Sequence, residues 1–354
     1  MNLAATPDLA APSVSGASFH LRHGPHEPLR TTPQRLPGTI RRTTSIDASW
    51  PFGVDLDLIL RGTARDIRTV GSSADVLGTS AFEMSVDWSA GRVVRAVTTE
   101  PHVPEALGLT GARAASGFRA RLDDSMRDAP DSWSLLYRLL DDVPGATLLS
   151  GYALRIAGPQ DASAGPPAGW VADLCSGFRA GGTVMVSVAD SGRSPMVTGP
   201  EAPSLEQSDD DDDAWHAMPA MAVNSMRRRR LIDVARASEE LIVARSIFRD
   251  SYLSAEGGES VIHEYELTAE IEPTDWRITR AAATPRVLPW LECPPAADSA
   301  QRLVGRTLND LRPLIRAEFR GVSTCTHLND QMRSLTDVAA LAKHLPDAGS
   351  CAVG

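Results

Sequence analysis

The segment Cys325-Thr326-His327 contains the residue types best suited to chemistry in this sequence. An apolar stripe at helical spacing follows from Leu328 to Val338, so Cys325 is predicted to end a loop at the N-terminus of a helix. The positive end of a helix dipole favours a thiolate, and His327 would then serve as a base or a second ligand. The alternative is structural: Cys325 fills a small apolar hole and His327 hydrogen-bonds locally.

Further ligand types occur at two other places in the same part of the chain. His263 and Glu264 begin a predicted strand, and Glu292-Cys293 follows the next one. Successive strand residues point to opposite sides, so only one of His263 and Glu264 is expected to face a site. Zn²⁺ accepts all these ligand types, although their spacing matches no compact zinc motif. Two histidines, two cysteines and two glutamates from three separated segments could therefore converge on one such ion: His263, His327, Cys293, Cys325, Glu264 and Glu292.

A second pattern is that short motifs recur in the same order. Ile46-Asp47 returns as Ile232-Asp233, and Arg65-Asp66 returns as Arg249-Asp250, at offsets of 186 and 184 residues. Ordered recurrence with a small drift is typical of duplication followed by divergence. The first copy has Pro130 and Ser132 where the second has Cys325 and His327. The first copy is therefore predicted to be structural and the second to carry the site.

Both copies indicate the same order of elements. Residues 81–86 and 93–98 in the first copy, and 261–271 and 276–281 in the second, have strand character, and helical patterns follow each pair. The run from Thr183 to Val188 predicts one added strand. The fold class predicted is α+β, internally duplicated, with two copies of antiparallel strands followed by packed helices, as a pseudo-dimer.

Composition shifts divide the chain into six segments. They are a flexible leader (1–38), a first copy (39–157), a linker with the added strand (158–188), an acidic Pro/Gly-rich linker (189–215), a second copy (216–345) and a tail (346–354).

Overall composition excludes several classes of protein. The 354 residues are 42% hydrophobic and 23% charged, which are globular values. The net charge is −10, and five of the acidic residues form the run Asp209–Asp213, so affinity for nucleic acid or anionic membranes is not expected. No apolar stretch is long enough to span a membrane, and the first 18 residues do not form a secretory signal. Four widely spaced cysteines favour the reducing cytoplasm. The basic run Arg227–Arg230 is expected on a solvated strand edge beside the acidic linker.

Several motifs together resemble a bacterial domain family of unknown function in its longer, actinobacterial form. The resemblance rests on Thr284–Trp290, on Arg227–Asp233 and on the signature Cys325-Thr326-His327-Leu328-Asn329-Asp330, and it covers roughly residues 40–345. It implies that His263, Cys293, Cys325 and His327 are the marked polar positions of one site, a metal or thiolate centre. It also implies an association with aromatic and acyl-CoA breakdown.

The function expected from these observations is that of an enzyme of small-molecule catabolism. It would be a lyase or hydrolase acting on a carbonyl-containing aromatic or acyl substrate, CoA thioesters included. A Zn²⁺-like ion or a thiolate would perform the chemistry, with Cys325 and His327 as catalytic residues and Glu264 or Glu292 as acid/base. The alternative is a non-catalytic ligand-binding or accessory protein, in which the Cys/His loop is structural.

Overall fold

The computed structural model describes residues 20–346, except 52, 54, 55, 72, 128–133, 158–170, 193 and 207–210. Several predicted features lie outside the described residues: the first half of the leader, Pro130 and Ser132, the start of the first linker and nearly all of the tail. No helix among the described residues is long and apolar enough to cross a bilayer.

One antiparallel sheet of eight strands forms the centre of the described structure. Its strand order is β4-β3-β2-β1-β5-β6-β7-β8, so two four-stranded meanders meet where β1 pairs with β5. The strands are β1 (Ile40–Ser49), β2 (Leu58–Val70), β3 (Ser73–Asp87), β4 (Val93–Glu100), β5 (Ser225–Ser238), β6 (Leu241–Leu253), β7 (Glu259–Glu272) and β8 (Arg277–Val287).

The helices follow each meander along the chain. In the described residues they are α1 (Phe118–Ser125), α2 (Ser134–Asp141), α3 (Val143–Ala157), α4 (Thr183–Ser191), α5 (Leu311–Glu318), α6 (Thr326–Arg333) and α7 (Asp337–Ala342). Short 3-10 helices precede α5 and separate α6 from α7. The α+β class is therefore confirmed.

The two faces of the sheet carry different layers. On one face the helices pack on apolar residues such as Ile46 of β1 and Phe248 of β6. On the other face, chain from the predicted leader and the acidic linker covers the strands, and Trp215 packs there against Leu231 of β5. Because both faces are covered, the central strands β1 and β5 are buried almost throughout.

The number of strands corrects the sequence prediction, which recognised two strands in each half. The recognised strands lie in β3, β4, β7 and β8. Their outer faces are polar, so apolar and polar residues alternate along each strand. Strands β1 and β5 were not recognised because arginines and hydroxyl residues occupy positions that turn out to be buried.

The added strand predicted at Thr183–Val188 is wrong, because this segment begins helix α4. Its β-branched residues favour a strand, but local contacts override that preference. The Glu292 carboxylate accepts hydrogen bonds from the Thr183 backbone N–H (2.8 Å) and hydroxyl (2.9 Å), which caps the N-terminus. Gly192, with a φ of 69°, ends the helix in the left-handed conformation.

Two segments predicted as solvated are packed on the sheet. In the leader, Leu29 donates its backbone N–H to Glu264 of β7 (2.6 Å). In the acidic linker, Leu205 and Trp215 are buried, and Asp211 pairs with Arg35 (2.6 Å). Leu29 of the leader and Leu205 of the linker thus belong to the layer opposite the helices.

The basic run Arg227–Arg230 is also corrected, because it lies in the middle of the sheet and not at a solvated edge. All four side chains are buried. Their charges are compensated individually: Arg227 pairs with Asp47 (2.5 Å) and Arg230 with Asp142 (2.8 Å). Burial of arginine is tolerated where each guanidinium has a carboxylate in good geometry.

Candidate functional site

A row of three polar side chains crosses the helix-facing side of the second meander. Cross-strand pairing places Arg228 of β5 opposite Asp250 of β6, and Asp250 opposite His263 of β7. Arg228 donates two hydrogen bonds to the Asp250 carboxylate, at 3.0 and 3.1 Å. The pair holds the carboxylate in a fixed orientation beneath the helices.

His327 reaches this row from the first turn of α6. Its ring stacks on that of His263, with 3.6 Å between centroids and 19° between planes. The Asp250 Oδ2 atom lies 3.8 Å from His263 Nδ1 and 3.9 Å from His327 Nε2. Helix α6 and strands β6 and β7 thus bring two imidazoles and one carboxylate together.

Both imidazoles are neutral near physiological pH. Burial, with His327 as a neighbour, lowers the pKa of His263 well below its ordinary value. Burial and the charge of Arg228 lower the pKa of His327 to about 3. Neutral imidazole is the form that binds metals, and His263 Nδ1 has no hydrogen-bond partner within the described residues.

The spacing of the three groups suits one divalent ion. Donor atoms of Asp250, His263 and His327 all lie within 4.8 Å of one another. Ligands about 2.1 Å from a tetrahedral ion lie roughly 3.4 Å apart, so the distances of 3.8 and 3.9 Å from Asp250 to the two histidines would each have to close by about half an ångström. Imidazole lone pairs lie in the ring planes, so sharing an ion also requires one ring to turn out of the stack.

Cys325 lies on the other side of His327, at the N-cap of α6. Its Sγ is 3.8 Å from His327 Nδ1. The helix N-terminus was expected to favour a thiolate, but burial raises the pKa of Cys325 despite the nearby N–H groups of Leu328 and His327. Desolvation of the charged form outweighs the dipole, so this cysteine is a neutral thiol.

Cys293 belongs to a separate thiol group. Burial and the neighbouring Cys325 raise its pKa well above the ordinary value, and Cys175 lies close to both. The buried Tyr265 ring packs beside these thiols. No described set of three or more ligands within 4.8 Å of one another includes Cys293 or Cys325. The structure thus brings together His263 and His327 of the four predicted ligands.

The two predicted acid/base residues lie elsewhere. Glu264 is on the opposite face of β7 from His263, as strand alternation requires, and there it pairs with Arg249. Glu292 caps α4 through Thr183. Neither carboxylate is among the groups around the two histidines.

Asp250 and Arg228 are the residues that sequence reasoning did not place in the site. The signal was present, because Arg65-Asp66 and Arg249-Asp250 had been matched. In the first meander Asp66 pairs with Arg42 (2.7 Å), just as Asp250 pairs with Arg228. Across from Asp66, however, β3 has Gly78 where β7 has His263.

A buried ion-pair network joins the helices above the site. Arg138 pairs with Asp141 (2.8 Å) and with Asp337 (2.9 Å), and Arg333 pairs with Asp141 (2.7 Å). Asp330 continues this network to Arg119 (2.5 Å) and Arg228 (3.1 Å). Asp141 therefore lies in the interior of the protein.

Comparison with known proteins identifies the domain that contains this cluster. Residues 226–341, from β5 into α7, match the family described as Protein of unknown function (DUF2889). The match confirms, over these residues, the resemblance to a family of unknown function. No curated protein and no solved structure matches the chain.

Proposed function

We propose that this protein is an enzyme of small-molecule catabolism whose centre is the cluster of Asp250, His263 and His327. The observation that supports the proposal most strongly is the convergence of these three side chains, from β6, β7 and α6, on donor spacings of 3.8 and 3.9 Å. The reaction is that of a lyase or hydrolase on a carbonyl-containing aromatic or acyl substrate, CoA thioesters included.

The donor set is one that Zn²⁺ or a related divalent metal accepts: two neutral imidazole nitrogens and a carboxylate. A metal held there would polarise a substrate carbonyl or lower the pKa of a bound water. Three protein ligands leave a further coordination position for substrate, which is the arrangement of catalytic rather than structural zinc.

The surrounding residues orient these ligands. Arg228 fixes the Asp250 carboxylate through two hydrogen bonds. In the tautomer that donates Nδ1–H to Cys325 Sγ, His327 would keep its Nε2 lone pair on the side of Asp250. Cys325 is thus assigned a positioning role.

We also propose that the two meanders arose by duplication. The sheet order places equivalent strands on either side of the β1–β5 pair. Across that pair, Arg41 binds Asp233 (2.7 Å) and, reciprocally, Arg227 binds Asp47 (2.5 Å). On this proposal the first meander is a structural partner, because Gly78 stands where the second has His263.

A second candidate, a non-catalytic ligand-binding or accessory protein, is favoured by one specific observation. The His263 and His327 side chains are only 11% and 15% exposed, and they are already stacked on each other. In that case the cluster only stabilises the packing of α6 on the sheet.

A substrate panel with matched variants separates the two candidates. Aryl and acyl esters, β-keto acids and CoA thioesters would be assayed with and without a chelator. The enzyme proposal expects turnover that the chelator and Asp250→Asn abolish, whereas Asp66→Asn, which breaks the corresponding ion pair in the first meander, retains it. Turnover that survives both the chelator and Asp250→Asn contradicts the metal centre.

A further inference from the structure

A cavity of about 430 Å³ lies where the helices of the first meander meet α5 and α6. Its volume is in the usual range for small-molecule sites. The loop between β3 and β4 also contributes, through Arg92. Four lining residues belong to α6, so the cavity and His327 use different faces of the same helix; they are Thr326, Asn329, Asp330 and Arg333.

Much of the cavity wall is apolar. It includes Pro144, Leu148, Ile315 and Phe319. Leu148 is 51% exposed, although the rest of α3 packs on the sheet. Such a wall accommodates an aromatic or aliphatic group better than a fully polar one.

Four arginines also line the cavity, and two of them are engaged by buried carboxylates. Arg333 pairs with Asp141, and Arg119 pairs with Asp141 and Asp330. Burial would raise the pKa of Asp330, but Arg119 and Arg228 hold it below its ordinary value. This carboxylate is therefore ionised, and both of its oxygens are paired with arginines.

Arg92 is the exception. None of the described carboxylates lies within ion-pair distance of its guanidinium, which instead stacks on the Trp88 ring (4.5 Å). Its backbone has a φ of 66°, a left-handed conformation that is unfavourable for a non-glycine residue. Burial and the neighbouring charge of Arg113 lower its pKa. An added anion strongly stabilises a half-buried cation that lies beside a like charge.

Arg316 supplies a second available guanidinium. Its side chain is 48% exposed, and Asp123, at 3.4 Å, is its ion-pair partner among the described residues. Ion pairs this exposed contribute little and are readily exchanged for another anion.

We propose that this cavity binds a small organic anion, with its acid group paired to Arg92 and Arg316 and its apolar part against Leu148 and Phe319. The ligand class is a carboxylate or phosphate ester with an aromatic or aliphatic body. Arginine suits both acids because its planar donors bind either one in a bidentate way. The proposal goes beyond the proposed function, since it requires neither a metal nor turnover.

Isothermal titration calorimetry with sodium benzoate, phenyl phosphate and inorganic phosphate tests this inference. Saturable binding of an organic acid is expected in the wild type, weakened about tenfold or more in Arg92→Gln and in Arg316→Gln. Tighter binding of benzoate identifies a carboxylate ligand, and tighter binding of phenyl phosphate a phosphate ester. Arg280→Gln, at an exposed position on β8, is the matched control and should bind as wild type does.

Three results would overturn the inference. They are no saturable binding of either organic acid up to ~10 mM, unchanged affinity in both cavity variants, or inorganic phosphate binding as tightly as phenyl phosphate. Arg92→Lys keeps the charge and is expected to retain part of the affinity, which separates loss of binding from loss of folding. Thermal melting of each variant without ligand provides the second check.

Discussion

The rings of His263 and His327 stack 3.6 Å apart, although one belongs to a strand and the other to a helix. At most one ring of such a stack carries a charge, because two imidazolium ions in contact would repel each other. Asp250 lies 3.8 Å from one ring and 3.9 Å from the other. The relationship therefore links the proposed chemistry to the stability of the fold.

Acid should destabilise the protein through this stack. His327 has a folded-state pKa of about 3 and an unfolded value near 6.5, so its contribution is present above pH 6.5 and is lost as pH falls toward 3. The expected loss is about 1.4 kcal/mol of unfolding free energy per pH unit below 6.5. Urea denaturation of the wild type and His327→Gln at pH 7.5 and 4.5 measures it. An equal pH dependence in the two proteins contradicts the assignment.

Gly145 of α3 should not accept a side chain. A Cβ there would lie 1.9 Å from Arg228 Nη1 and 2.7 Å from Asp330 Oδ2, and both groups are fixed by ion pairs. Gly145→Ala is therefore expected to destabilise by about 1–3 kcal/mol, although alanine normally favours a helix. Gly78→Ala, where a Cβ meets nothing within 4 Å, is the control and should be neutral or slightly stabilising. Chemical denaturation compares the two, and a stabilised Gly145→Ala would show that the contact is not rigid.

The reciprocal ion pairs between β1 and β5 can be tested by removing one partner and then both. Asp47→Ala leaves Arg227 buried without its carboxylate, so a loss of about 3–5 kcal/mol is expected. Replacing both residues, as Arg227→Met with Asp47→Leu, should recover most of that loss, since two apolar residues leave no buried charge. Urea denaturation measures each variant. A double variant no more stable than Asp47→Ala would indicate that the pair also sets the strand register.

The thiols should react slowly with a disulfide reagent at neutral pH. Burial raises the pKa of Cys175 to about 11 and that of Cys325 above its ordinary value. In a Cys351→Ser background, modification of the folded protein should begin at Cys175, which is half-buried, and reach Cys293 and Cys325 only on unfolding. Mass spectrometry of timed samples locates the label. Rapid labelling of Cys325 in the folded protein would instead indicate that Cys325 is a reactive thiolate, as the sequence predicted.

The outer strands and part of the site could be predicted from the sequence. Strands β7 and β8 alternate because their outer faces are polar, and His263 and His327 were identified by residue type and placed together by the family resemblance. Asp250 was missed because its role depends on register: the pairing that sets it opposite both Arg228 and His263 is not encoded in local spacing.

The central strands and α4 could not be predicted for a related reason. Arginines such as Arg41 and Arg227 are normally predicted to be exposed. They are buried here because they pair with Asp233 and Asp47, which lie far away in the sequence. The strand-favouring residues of α4 are overridden by the Glu292 cap, which comes from another part of the chain. In each case a long-range contact reverses a local preference.

Metal content is the most direct test of the central claim. The protein would be loaded with Zn²⁺ and freed of excess metal by gel filtration. Its zinc content would then be measured by inductively coupled plasma mass spectrometry. Wild type and Asp66→Asn are expected to retain about one equivalent per chain, and Asp250→Asn and His263→Gln less than about a tenth. Less than a tenth of an equivalent in the wild type, or full retention in the two site variants, would contradict a metal centre at Asp250, His263 and His327.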